Sequence, residues 1–225
     1  MDEKPQLYRG VKLCSPQSVC SGLMHYGGMA AALVASIILV VHSVAAGHPG
    51  SHVAAYAIFG LSMVLLYGAS ATYHVFYISP KVHRVLKKID HCMVFVLIAG
   101  TYTPIGAVAL GKPVGWILLT VVWVLAVAGM VMKAVWIEAP TWLSVLCYVL
   151  LGWAAIFVIA PLYRAISAVG VALLLTGGVL YTVGAFIYKA KRQYVNMRYF
   201  GNHEIFHVLI ILASCCMYVV IYRTI

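Results

Sequence analysis

The chain has 225 residues, 64% of them hydrophobic and only 9% charged, with a mean hydropathy of +1.00. A soluble domain carries about 25% charged residues, so this chain as a soluble globule would leave large apolar patches in water; a soluble enzyme, a disordered protein and a nucleic-acid-binding domain are excluded. The net charge of +10 and pI of about 9.4 read instead as basic loops that orient an integral membrane protein.

Residues 1–22 form a mixed polar tail, and the apolar run after it is long enough to be a retained helix rather than a cleaved signal. Crossing a ~30 Å hydrocarbon core takes about 20 mostly apolar residues. Seven runs qualify: 23–46, 53–78, 91–110, 114–132, 142–160, 165–188 and 204–222. They are too continuous for barrel strands, which alternate over roughly 10 residues, so the backbone must be satisfied within helices. The expectation is an all-α integral membrane protein in which residues 23–225 form one seven-helix bundle. Within segment three, Pro104 removes a helical hydrogen bond, and Tyr102, Thr101 and Thr103 are placed to satisfy the freed carbonyls. Segment six carries Gly170, Gly177 and Gly184 at seven-residue spacing, a smooth stripe for another helix. Six cysteines (Cys14, Cys20, Cys92, Cys147, Cys215, Cys216) show no CxxC spacing, so neither a disulfide framework nor a zinc finger is implied.

Lys and Arg between the segments set the orientation. With the N-terminus inside, the inner regions hold Lys4, Arg9, Lys12, Lys81, Arg84, Lys87, Lys88, Lys133, Lys189, Lys191, Arg192 and Arg198, twelve in all, against Lys112, Arg164 and Arg223 outside. That asymmetry places the N-terminus in the cytoplasm and the C-terminus outside, opposite to the G-protein-coupled receptors. The last segment has no lysine, which excludes a retinal Schiff base there. The inner connections are long and basic and the outer ones very short, so a site is expected within the membrane or at its cytoplasmic face.

Ionisable groups inside a membrane are costly and each marks a functional candidate. Here they gather at one depth. Segment two ends near the cytoplasmic boundary with Ser70-Ala71-Thr72-Tyr73-His74, segment three starts there with Asp90-His91, and segment seven starts there with His203-Glu204-Ile205-Phe206-His207. His203 and His207 are i, i+4, on one helix face, a spacing that suits two nitrogens on one Zn²⁺. His74 is the natural third ligand, since three protein ligands and a water make the catalytic zinc pattern. Ser70, four residues before His74, either hydrogen-bonds that water or bonds back to a carbonyl. Asp90 is either a surface carboxylate balanced by Lys87 and Lys88, or the group that accepts a proton from the zinc-activated water. His91 is an alternative ligand; His25, His42, His48, His52 and His83 have weaker cases.

Two motif readings compete. His203-Glu204-Ile205-Phe206-His207 is a literal H-E-x-x-H, the string of metalloproteases in which the glutamate is general base; Glu204 is equally suited to capping its helix, where the dipole favours a carboxylate. The other reading is a resemblance over essentially the whole chain. Ser70-x3-His74, Ile89-Asp90-His91, Ile98-Ala99-Gly100-Thr101-Tyr102-Thr103-Pro104 and His203-x3-His207 together resemble the haemolysin III family, itself similar to the progestin and adipoQ receptors and, more distantly, to the alkaline ceramidases. Ser21-Gly22-Leu23-Met24-His25 departs from that pattern in lacking an acidic residue before the histidine. The resemblance implies a seven-helix, N-in fold, Zn²⁺ on His74, His203 and His207, and Asp90 and Ser70 around its water. It implies a zinc-dependent hydrolase of a lipid acyl amide in the cell membrane of a bacterium, with a membrane lipid as substrate and no protein partner evident. Membrane lysis by a pore, or a receptor-like sensor with structural zinc, are the other classes it admits.

Overall fold

The computed structural model describes residues 6–8, 11–190, 192, 194, 195, 197 and 199–224, with 6–8 and 11–13 described by backbone alone. Lys4, Arg9, Lys191 and Arg198 of the charge count lie outside the described residues. A short antiparallel hairpin pairs β1 (Gln6–Tyr8) with β2 (Val11–Leu13), Leu7 opposite Lys12. The helices that follow are α1 (Pro16–Ala45), α2 (Gly50–Val75), α3 (Pro80–Pro104), α4 (Val114–Val135), α5 (Thr141–Gly152), α6 (Ile159–Lys189) and α7 (Asn202–Tyr222).

Two helices start earlier than hydropathy suggests. α1 begins at Pro16 because the Ser15 hydroxyl accepts from the Ser18 amide at 3.3 Å while proline takes the first helical turn. α3 begins at Pro80, with Ser79 accepting from the Val82 amide at 3.2 Å. Serine caps followed by proline are start signals made of polar and neutral residues. Their effect is to bring Ser18 and Ser21 into α1, and to set Asp90 well inside α3 rather than at its first residue.

Six helical runs are long and apolar enough to cross a membrane, where seven segments are expected from sequence. The difference lies in the fifth and sixth. α5 has only 12 residues and continues through a 3₁₀ stretch, Trp153–Val158, into α6, making one 49-residue run, Thr141–Lys189. The expected break at 161–164 is helical. The chain turns instead at Ser167, whose φ of 65° and ψ of 169° leave the helical region.

Pro104 ends regular α3 and a π-helical stretch, Ile105–Leu110, follows it. Thr101 and Thr103 donate to the carbonyls of Leu97 and Ala99 at 2.8 and 2.9 Å, four residues back on their own helix, and not to Gly100, whose carbonyl the proline frees. Tyr102 reaches across. Its hydroxyl donates to the Gly152 carbonyl at 2.6 Å and accepts from the Ala155 amide at 2.8 Å, which satisfies the backbone where α5 gives way to the 3₁₀ turn. Irregular backbone at membrane depth needs such a partner.

The core is built around Tyr56, Phe59, Phe95, Leu39 and Leu162, all fully buried, while apolar residues along α1 and α4 face outward. Gly177 and Gly184 do lie against α7: a Cβ would meet the Met217 methyl at 2.6 Å and the Phe206 ring at 3.3 Å, respectively. Gly170 instead faces Ile166, across the turn at Ser167. The tightest helix approach is elsewhere, where a Cβ on Gly115 of α4 would run into the Gly106 carbonyl. Gly115→Ala should therefore lower the unfolding midpoint in detergent, by about 1–3 kcal/mol of overpacking. Gly27→Ala, with nothing within 4 Å, should be neutral or gain up to ~1 kcal/mol of helix propensity. Equal midpoints for the two variants would contradict that packing.

Candidate metal centre

Two helices bring three imidazoles together. His74 sits in the last turn of α2, and His203 and His207 in the first two turns of α7. The Nε2 of His203 lies 3.1 Å from that of His74 and 3.0 Å from that of His207. His74 and His207 are buried, and the ligand atoms of all three lie within 4.8 Å of one another. Four nitrogen or oxygen ligands arranged tetrahedrally at 2.0–2.1 Å from a zinc ion stand about 3.3 Å apart, so the cluster could hold a metal ion with little movement.

The tautomer of His74 fits that role. The Ser18 hydroxyl donates to the His74 carbonyl at 3.0 Å, so the 3.0 Å contact between Ser18 Oγ and His74 Nδ1 must be donated by the ring. The proton is thereby held on Nδ1 and the Nε2 lone pair faces the other two histidines, the arrangement that outer hydrogen bonds impose on metal-ligating histidines.

Glu204 is fully buried and both its oxygens are engaged. Oε2 accepts from the Gly201 amide at 2.7 Å, capping α7, and Oε1 accepts from the Ser21 hydroxyl at 2.6 Å. A carboxylate so occupied ties α1 to α7. His25, also from α1, stacks on His207 with ring centroids 3.9 Å apart and both nitrogens buried without a hydrogen-bond partner. Ser18 and Ser21 escape a reading that starts the helix at residue 23, although their spacing to His25, i, i+3, i+7, is one helical face.

A cavity of about 400 Å³ opens beside the triad, lined by His74, His203 and His207 together with Ser70, Asp90 and His25. Of the two readings of Asp90, balance by lysine is not seen among the described residues: Lys87 stands 3.9 Å from Glu138 and Lys88 donates to the Ala134 carbonyl. Among the described residues Asp90 lies 3.8 Å from the Nδ1 of His91, which is itself bonded to the Lys87 carbonyl. His48 and His52 pair with each other at the far end of the bundle, and His42 lies against Tyr222.

Residues 16–218, from the first residue of α1 to near the end of α7, match the family described as Haemolysin-III related. The chain belongs to that family. Over 202 residues this haemolysin-III-related chain is 35% identical to Hemolysin-3 of Bacillus cereus, covering 90% of the chain and 89% of its relative. It is 33% identical over 202 residues to the Hemolysin-3 homolog of Bacillus subtilis (strain 168), covering 90% and 91%. With six long apolar helices it is a membrane protein.

If the Ser18 hydroxyl fixes the tautomer of His74, Ser18→Ala should weaken zinc binding about 10–100-fold in a chelator-competition titration of the purified protein. The His203→Ala/His207→Ala double variant should bind no stoichiometric metal. Full occupancy in that double variant would remove the triad from consideration.

Proposed function

We propose that this haemolysin-III-family protein is a zinc-dependent hydrolase of a lipid acyl amide, akin to the ceramidases, working in the cell membrane of a bacterium. The observation that carries this reading is the convergence of three Nε2 atoms, and of a carboxylate with no lysine partner, on one largely apolar cavity. Its volume of about 400 Å³ falls in the ordinary range for small-molecule sites. The three histidines match the three-protein-ligand set used by catalytic zinc sites, which would leave a position for water or substrate.

A zinc ion held by His74, His203 and His207 would supply Lewis acidity and make water a nucleophile at neutral pH. Asp90 takes the proton from the attacking water and passes it to the leaving amine nitrogen as the acyl–nitrogen bond breaks. Ser70 keeps the Asp90 carboxylate turned into the cavity by hydrogen bonding to it. Val94, Leu97 and Ile98, which line the cavity beyond Asp90, receive the acyl chain and exclude bulk water. Glu204 takes no part in proton transfer because Ser21 and the α7 cap occupy it, which argues against the metalloprotease reading of its motif.

The same reading takes the bundle to cross the membrane seven times, N-terminus in the cytoplasm. At ~1.5 Å per residue the 49-residue run Thr141–Lys189 is about 73 Å long, more than twice the hydrocarbon thickness, so it crosses twice around the turn at Ser167. Reporters placed after Ile225 and within 189–203 should then fall on opposite sides of the membrane; both on one side would refute the seven-span topology.

Asp90→Asn should retain zinc while fatty-acid release from short-chain ceramides and other acyl amides falls by about 10²–10⁴-fold, the range for a lost general base. Glu204→Gln, compared per folded molecule, should stay near wild type. Loss confined to Glu204→Gln would favour proteolysis. Two relatives carry the name haemolysin, so dye leakage from liposomes without acyl-lipid turnover would favour membrane lysis instead.

A further inference from the structure

The cavity has a second polar end, which the triad does not use. Along α3 its lining runs from Lys87 to Ile105, about 27 Å at ~1.5 Å per residue. The wall changes along that length: Lys87, Asp90 and His91 come first, and from Val94 onward it is mainly apolar, with Thr101 and Tyr102 among Val94, Leu97, Ile98 and Ile105. Opposite the polar end stand the last turns of α4 and the connection to α5, which contribute Lys133 and residues 137–141.

Lys133 is the unusual member. It is only 2% exposed, yet it lines the cavity, and among the described residues it has no hydrogen bond and no ion pair. Glu138 is near enough to attract it but forms no ion pair with it. Glu138 is mostly exposed and stands 3.9 Å from Lys87, and Asp90 has no lysine nitrogen within 4.0 Å. A lysine that merely orients a loop by the positive-inside rule sits in water or among headgroups and need not be buried. A buried ammonium with no ion pair is costly unless an anion joins it, and the cavity that Lys133 lines gives room for one.

We propose that Lys133, with Lys87 beside it, binds the anionic group, a phosphate or a carboxylate, of the lipid whose acyl chain occupies the apolar length of the cavity. An ammonium is a compact charge with three rotatable donors, suited to a phosphate or carboxylate oxygen without demanding a planar fork. The arrangement along α3 is then head, reaction centre, tail: cation at Lys87 and Lys133, Asp90 next, apolar wall beyond. The inference rests on the proposed function for taking a lipid as occupant, and it narrows the substrate class to acyl lipids with a negatively charged head.

The test is equilibrium binding to the full-length protein in neutral detergent, with two probes of equal chain: oleoyl lysophosphatidic acid and monooleoylglycerol. Wild type should hold the phosphate lipid tighter by about tenfold or more, the scale of a hydrogen-bonded charge pair. Lys133→Gln should lose that preference while still binding the neutral lipid, which also shows that the variant is folded; Lys133→Arg should keep it. Equal binding of the two probes by wild type, or an undiminished preference in Lys133→Gln, would overturn the proposal. Inorganic phosphate binding as tightly as the phosphate lipid would overturn the lipid assignment and make the free anion the ligand. The His203→Ala/His207→Ala double variant should retain the preference. If wild type releases fatty acid from no lipid yet prefers the phosphate probe, the hydrolase reading fails and the anion site stands.

Discussion

Three imidazoles placed nitrogen to nitrogen at 3.0–3.1 Å inside an apolar bundle are a demanding arrangement. Each contact needs a proton on one of its two nitrogens, and no bulk water is at hand to complete the hydrogen bonding. The helices that carry them are far apart in sequence, so their relative positions must be fixed by something stronger than apolar packing, which is tolerant of small shifts in a membrane. That something is α1. Ser18 bonds the ring and carbonyl of His74 on α2, Ser21 bonds Glu204 on α7, and His25 stacks on His207. A helix whose outer face is plain apolar residues thus clamps the two helices that form the triad.

What could be read from the sequence follows the strength of each signal. The membrane class, the pairing of His203 with His207 and the arrival of His74, Ser70 and Asp90 at one cavity were legible because charged and imidazole groups are so rare in these segments that each one counts. The N-terminal third of α1 was not legible. Its start is signalled by Ser15 and Pro16, which a hydropathy count passes over, and with it went Ser18 and Ser21. The extent of the fifth and sixth segments was also hidden. A run of apolar residues from 142 to 188 says that the chain is buried in lipid, but a 3₁₀ stretch and a turn at Ser167 are set by backbone angles that no periodicity announces.

Glu204 shows how a motif string can mislead. H-E-x-x-H supplies two histidines at the right spacing whether or not its glutamate is free, and the string says nothing about what approaches from other helices. Here the carboxylate is consumed by the α7 cap and by Ser21. A second carboxylate, Asp90 on α3, lies in the cavity with Ser70 and has no lysine nitrogen within 4.0 Å among the described residues.

Tyr102 has a consequence of a different kind. One phenol oxygen serves both the Gly152 carbonyl and the Ala155 amide, and Tyr102, Gly152 and Ala155 all line the cavity. The least regular backbone in the bundle is therefore also the wall of its hollow, and its order depends on one side chain and on whatever fills the space beside it. A ligand that binds only the folded state raises stability by mass action. The heat resistance of this protein after extraction is then a property of a pair, the polypeptide and the lipid that leaves the membrane with it, and preparations differing only in how thoroughly they were delipidated will unfold at different temperatures.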